Sequence, residues 1–153
     1  MAEEAFGEGE VARAVEELWI RWDQVEEMAV HPLVTIGAHT VTHPILRDLP
    51  REAARVEMVE SRRRLEARLG QPVHHFAYPH GSPAQVGERE YALARECGFT
   101  TAVTTRLANV MPGSADHLEC LPRIYGESLR ELELGLSGVV SAFRYRGRRV
   151  VTV

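Results

Sequence analysis

The sequence predicts an α/β protein with a largely parallel sheet. Segments with helical spacing alternate with short strand-like runs along the chain. The strand-like runs are continuous and β-branched, as in strands covered on both faces. Pro or Gly punctuates the junctions, with Pro50 before one helix and Gly70 and Gly98 after two of them.

Residues 1–17 open on the Glu- and Gly-rich "MAEEAFGEGE" and are expected to be a frayed or helical lead-in to a domain over 18–153. Val11, Val15, Leu18, Val25 and Met28 keep helical spacing, which predicts two short helices broken near Arg21–Asp23. "LVTIGA" (33–38), bounded by Pro32 and Gly37, predicts the first strand. From about Pro50 to Leu69 a helix is expected, with Ala54, Met58, Leu65 and Leu69 on one stripe. "VHHFAY" predicts a second strand, residues 88–97 a helix, and "FTTAVTT" a third strand. After the irregular "RLANVMPGSADH", "LECLPRI" reads as a fourth strand, "ESLRELELGLSGVVSAF" as a helix and "RRVVTV" as a closing strand or edge.

Composition removes several function classes. A chain of 153 residues with 44% hydrophobic and 26% charged residues suits one domain with a real core. The net charge of −4 gives no electrostatic reason to bind nucleic acid or an anionic membrane. All 18 basic residues are arginine, so lysine Schiff-base or lysine-nucleophile chemistry is excluded. Cys97 and Cys120 lack the spacing of a zinc or redox motif and read as buried free thiols. With no apolar leader and no span of membrane length, the sequence as it stands reads as cytoplasmic.

Chemistry concentrates in two stretches. "HTVTH" places His39 and His43 four residues apart at the end of the first strand. The pair can face one metal ion, although Thr40 stands where zinc proteases carry Glu, and two hydrogen-bonded surface histidines remain the plain alternative. "YPHG" follows the second strand, with Pro79 and Gly81 flanking His80. Such a turn can aim the His80 N–H into a cleft as an oxyanion donor, and its plain alternative is a simple turn with Tyr78 filling the core. One crossover helix between parallel strands places both stretches on the same rim.

Taken together, "IGAHTVTHPIL", "FAYPHG", "ARECGFTTAVTT" and "LPRI" resemble the polysaccharide deacetylase family, also called the NodB homology domain or carbohydrate esterase family 4. The resemblance covers roughly residues 18–153. It implies an incomplete, distorted (β/α) barrel and a divalent metal, zinc or cobalt, held by His39 and His43. It also implies a substrate groove lined by Tyr78, Pro79, His80 and Gly81, and hydrolysis of N- or O-acetyl groups on a polysaccharide or oligosaccharide.

The resemblance has gaps. The family's first motif, T-F-D-D-G, supplies the catalytic base and a third metal ligand, but the three aspartates here, Asp23, Asp48 and Asp116, include no adjacent pair. The match is therefore expected to be to a truncated, C-terminal portion of the family domain, with the catalytic base unassigned. Arg123 stands in "LPRI" where many members carry a histidine acid, and His80 replaces an aromatic residue. Asp116, His117, His75 and His80 are auxiliary candidates for the metal. General-base catalysis commonly contributes about 10²–10⁴ in rate, so the rival reading is a non-catalytic remnant that binds carbohydrate or a protein. A further alternative is a subunit completed by a separate chain. An exposed sheet edge predicts self-association. Trp19 and Trp22 could stack on sugar or pack as anchors, and the basic "RYRGRR" reads as a surface tail.

Overall fold

The computed structural model describes residues 18–126 and 128–146. The first predicted helical turn, the boundary near residue 17 and the closing "RRVVTV" lie outside the described residues. The chain divides into two compact units, residues 1–35 and 36–153.

In the first unit, helix α1 (Trp22–Ala29) begins beyond Arg21, whose backbone N–H donates to Gln24 Oε1 at 2.9 Å. Trp19 and Trp22 are both exposed.

The second unit is built on three parallel strands in the order β1-β2-β3: β1 (His75–Ala77), β2 (Thr101–Leu107) and β3 (Leu121–Arg123). Phe76 pairs with Ala102, and Val103 with Leu121. The run 33–38, expected as a full strand, contributes a single parallel bridge from Ala38 to Phe76. Ala38 N–H donates to His75 O at 2.8 Å, and Ala77 N–H to Ala38 O at 2.9 Å. A strand needs a partner along its length, and β1 offers only three residues, so the β-branched run gains one rung.

Helix α2 (Arg51–Leu69) buries Ala54 and Met58 from its predicted stripe and ends at Gly70 with φ +66°. Its other faces carry Glu–Arg pairs such as Arg62–Glu66. Helix α3 (Glu88–Glu96) buries Tyr91, Leu93 and Ala94. These side chains join Phe76, Tyr78, Val73, Phe99 and Ala102 in one core cluster. Along β2 the period of two puts Ala102, Thr104 and Arg106 on the buried face and Thr101, Val103, Thr105 and Leu107 on a half-covered one. The helix expected over 127–143 is two helices, α4 (Leu129–Leu136) and α5 (Val139–Arg144), separated at Gly138, whose φ of +75° ends helical geometry. The fourth predicted strand shortens to β3 because Leu118–Cys120 forms a 3₁₀ turn. Among the described residues, no helix is long and apolar enough to cross a membrane.

Candidate metal centre

Because the strands are parallel and Ala38 bridges β1 in the same sense, His39 and the turn after β1 emerge on the same C-terminal rim. The structure brings three histidines together there. His39 and His43 have ring centroids 4.9 Å apart, and His43 and His80 have centroids 4.8 Å apart. All three are exposed.

His39 is oriented by the strand beside it. Its Nδ1 lies 2.7 Å from the Ala77 carbonyl. A carbonyl only accepts, so Nδ1 carries the proton and the lone pair of the neutral ring sits on Nε2, away from the sheet. Metal-ligating histidines are commonly fixed in this way by a bond from the second ring nitrogen.

The loop that carries His43 is held by a residue the motif reading missed. Glu57, on α2, accepts from the Val41 N–H (2.7 Å), the Thr42 N–H (3.0 Å) and the Thr42 hydroxyl (2.8 Å). Burial pushes its carboxyl upward, but the hydrogen bonds from Thr42 and Val41, with Arg64 nearby, outweigh burial and hold it below the usual glutamate range. Within the loop, the His43 N–H donates to Thr40 Oγ1 at 3.2 Å.

All non-glycine residues with positive φ among the described residues lie in this site: Thr40 (+64°), His43 (+57°) and His80 (+59°). Left-handed backbone is costly, most of all for β-branched Thr40, and persists where surrounding bonds enforce it. On the second loop those bonds come from β2. Thr105 donates through Oγ1 to His80 O (2.6 Å) and through N to Gly81 O (3.0 Å), while Gly81 N–H donates to Pro79 O at 2.6 Å. The His80 N–H has no protein acceptor among the described residues.

The remaining candidates differ from the three histidines in burial or in their partners. Tyr78 is only 1% exposed and its hydroxyl donates to Glu119 O at 2.8 Å, so its side chain packs in the core and does not line a groove. Burial raises its phenol far above the ordinary range. Pro79 is also fully buried. Arg123, at the end of β3, donates from Nε to Thr104 O at 2.9 Å. His75 sits within β1, its Nδ1 2.7 Å from Thr101 Oγ1. Asp116 is exposed at the end of the Pro112–Asp116 turn.

His117, Glu119 and Cys120 form a second group whose potential ligand atoms lie within 4.8 Å of one another. Glu119 already accepts from Arg95 at 2.5 Å. Burial raises the Cys120 thiol to about 11. Two imidazoles on a tetrahedral zinc, with Zn–N near 2.0–2.1 Å, place their ring centres about 5 Å apart. That spacing agrees with the 4.9 and 4.8 Å seen here.

An open parallel α/β sheet with a histidine cluster on its C-terminal rim is the class of protein that the fold and site define. The family follows from comparison: the model of the family described as polysaccharide deacetylase matches residues 6–102, and the chain belongs to that family. The fold is similar to the Streptococcus pyogenes deacetylase PplD, solved in complex with acetate, at 24% identity and TM-score 0.67 over 82% of this chain and 54% of that one. It is also similar to BC0361, a polysaccharide deacetylase from Bacillus cereus (21% identity, TM-score 0.64, 76% of this chain and 36% of that one). IcaB from Ammonifex degensii aligns at 23% identity and TM-score 0.63, over 75% of this chain and 51% of the other. The chain thus spans about half, or less, of the length of these solved relatives. No curated protein matches it. The three-stranded sheet is accordingly a partial barrel of the polysaccharide deacetylase type.

Proposed function

We propose that the chain is a metal-dependent hydrolase of the polysaccharide deacetylase type, acting on N- or O-acetyl groups of a sugar polymer, with His39 and His43 as metal ligands. The observation that carries this reading is the bond from His39 Nδ1 to Ala77 O, which leaves the Nε2 lone pair free on a ring whose centroid lies 4.9 Å from that of His43. A divalent ion there, zinc or cobalt, would supply carbonyl polarisation and a bound water of lowered pKa.

The chain's own residues bind and orient. The Ala77 carbonyl holds the His39 ring, and Glu57 holds Val41 and Thr42, the two residues that precede His43. The His80 N–H, free of a protein acceptor among the described residues, is offered to the developing oxyanion. Gly81 and the backbone of Pro79 shape the turn that aims it, and Arg123 stands at the neighbouring strand end. The open sheet, whose β3 pairs only with β2 among the described residues, supports self-association with a second copy. Light scattering at micromolar protein should give at least a dimer mass, and a monomer overturns that part.

Calorimetric titration with zinc, on the wild type and on His39→Ala, tests the reading, followed by acetate release from acetylated oligosaccharides. Micromolar or tighter binding lost in His39→Ala supports it. Absent binding, or binding indifferent to His39, reduces the chain to a carbohydrate- or protein-binding remnant.

A further inference from the structure

His39 and His43 supply two of the three protein ligands that a catalytic zinc normally has. We infer that the imidazole of His80 is the third ligand, so that this chain builds a three-histidine metal site from its own residues. The inference rests on the metal-dependent reading above and adds a residue to it.

The argument begins with position. His80 follows β1 on the same rim as His39, and its ring stands 4.8 Å from that of His43, on the scale expected for two imidazoles sharing one ion. His43 is thus flanked by His39 at 4.9 Å and His80 at 4.8 Å. Neither the His43 nor the His80 ring makes a hydrogen bond to the protein among the described residues, so both keep ring nitrogens available. Exposed imidazoles stacked edge to face without a shared hydrogen bond gain little from one another, whereas a cation between them satisfies both lone pairs.

The backbone adds an independent observation. His43 and His80 hold left-handed φ values of +57° and +59°. At His80 that conformation is enforced by Thr105, which bonds the carbonyls of both His80 and Gly81. Without the turn, the His80 side chain would continue along the strand instead of meeting His43. The ring nitrogens of the three histidines do not all lie within 4.8 Å of one another as they stand, so closure on an ion takes a side-chain rotation of an exposed ring. Exposed rotamers interchange readily and the backbone need not move.

The test uses the full chain carrying no added histidines, labelled with ¹⁵N and titrated with zinc while the ring nitrogens are followed by long-range ¹H–¹⁵N correlation. Zinc should shift the ring ¹⁵N resonances of His39, His43 and His80 together at one equivalent. His80→Asn keeps a residue tolerant of positive φ and should weaken zinc binding by about tenfold or more in calorimetry, with the circular dichroism of the wild type. If His39 and His43 shift while His80 does not, this inference is overturned and the two-histidine reading stands. If no histidine responds to zinc, the metal-dependent reading fails and takes this inference with it. The wild-type titration decides the matter even if His80→Asn misfolds.

Discussion

The imidazole of His39 and the carbonyl of Ala77 are joined at 2.7 Å across the boundary between the first rim loop and β1. This bond connects the sheet ladder to the site, because Ala77 N–H in turn donates to Ala38 O, one residue before His39. The neutral ring of His39 is therefore expected to be the Nδ1–H tautomer. Long-range ¹H–¹⁵N correlation on the metal-free protein checks this directly. An Nε2–H pattern at His39 would remove the preorganised lone pair on which the metal reading depends.

Glu57 is expected to be the residue outside the motifs whose loss most affects the site. Its carboxylate takes three hydrogen bonds from Val41 and Thr42. Gln can accept at only one of its two terminal atoms, so Glu57→Gln should destabilise the fold by about 1–2 kcal/mol, a figure reduced for partial exposure. It should also weaken zinc binding without touching a ligand. The pH dependence follows from the lowered carboxyl. Its stabilisation is fully present above the unfolded glutamate pKa of about 4.3 and is lost as pH falls through the lower folded value. Denaturant unfolding from pH 7 to 3 should show the wild type losing its advantage over Glu57→Gln in that acid window. An equal gap at every pH would deny the carboxylate this role.

The sequence made the alternation of helices and strands readable, because buried stripes such as Ala54–Met58 on α2 depend on local periodicity. It also marked His39 and His43, since their spacing is a local motif. Glu57 was hidden because, among the Glu–Arg pairs of its helix, nothing local separates a carboxylate facing a loop from one facing water. His80 was among the auxiliary candidates on that rim, but nothing local separated it from His75, His117 and Asp116, because its approach to His43 depends on two left-handed residues and on Thr105 from another strand. Tyr78 was readable in another way: the period of two puts it on the face of Phe76, and both are buried. The run 33–38 carried strand propensity without a partner long enough to use it, so only Ala38 joined the sheet.

Two glycines with nearly the same φ offer the sharpest comparison. Gly70 ends α2 at φ +66°, and a Cβ there would meet nothing within 4 Å, so Gly70→Ala should show the left-handed penalty alone, about 1 kcal/mol. Gly81 has φ +68°, but a Cβ there would lie 2.8 Å from Thr105 N, a backbone atom already bonded to Gly81 O. The strand cannot retreat without breaking the contacts that set the His80 turn. Gly81→Ala should therefore cost about 2 kcal/mol or more beyond Gly70→Ala. It should also lower zinc affinity, while Gly70→Ala leaves it unchanged. Urea unfolding and zinc calorimetry on the two variants measure both differences. Equal losses in stability, with equal zinc binding, would mean that the turn after β1 adapts and that Thr105 does not fix the position of His80.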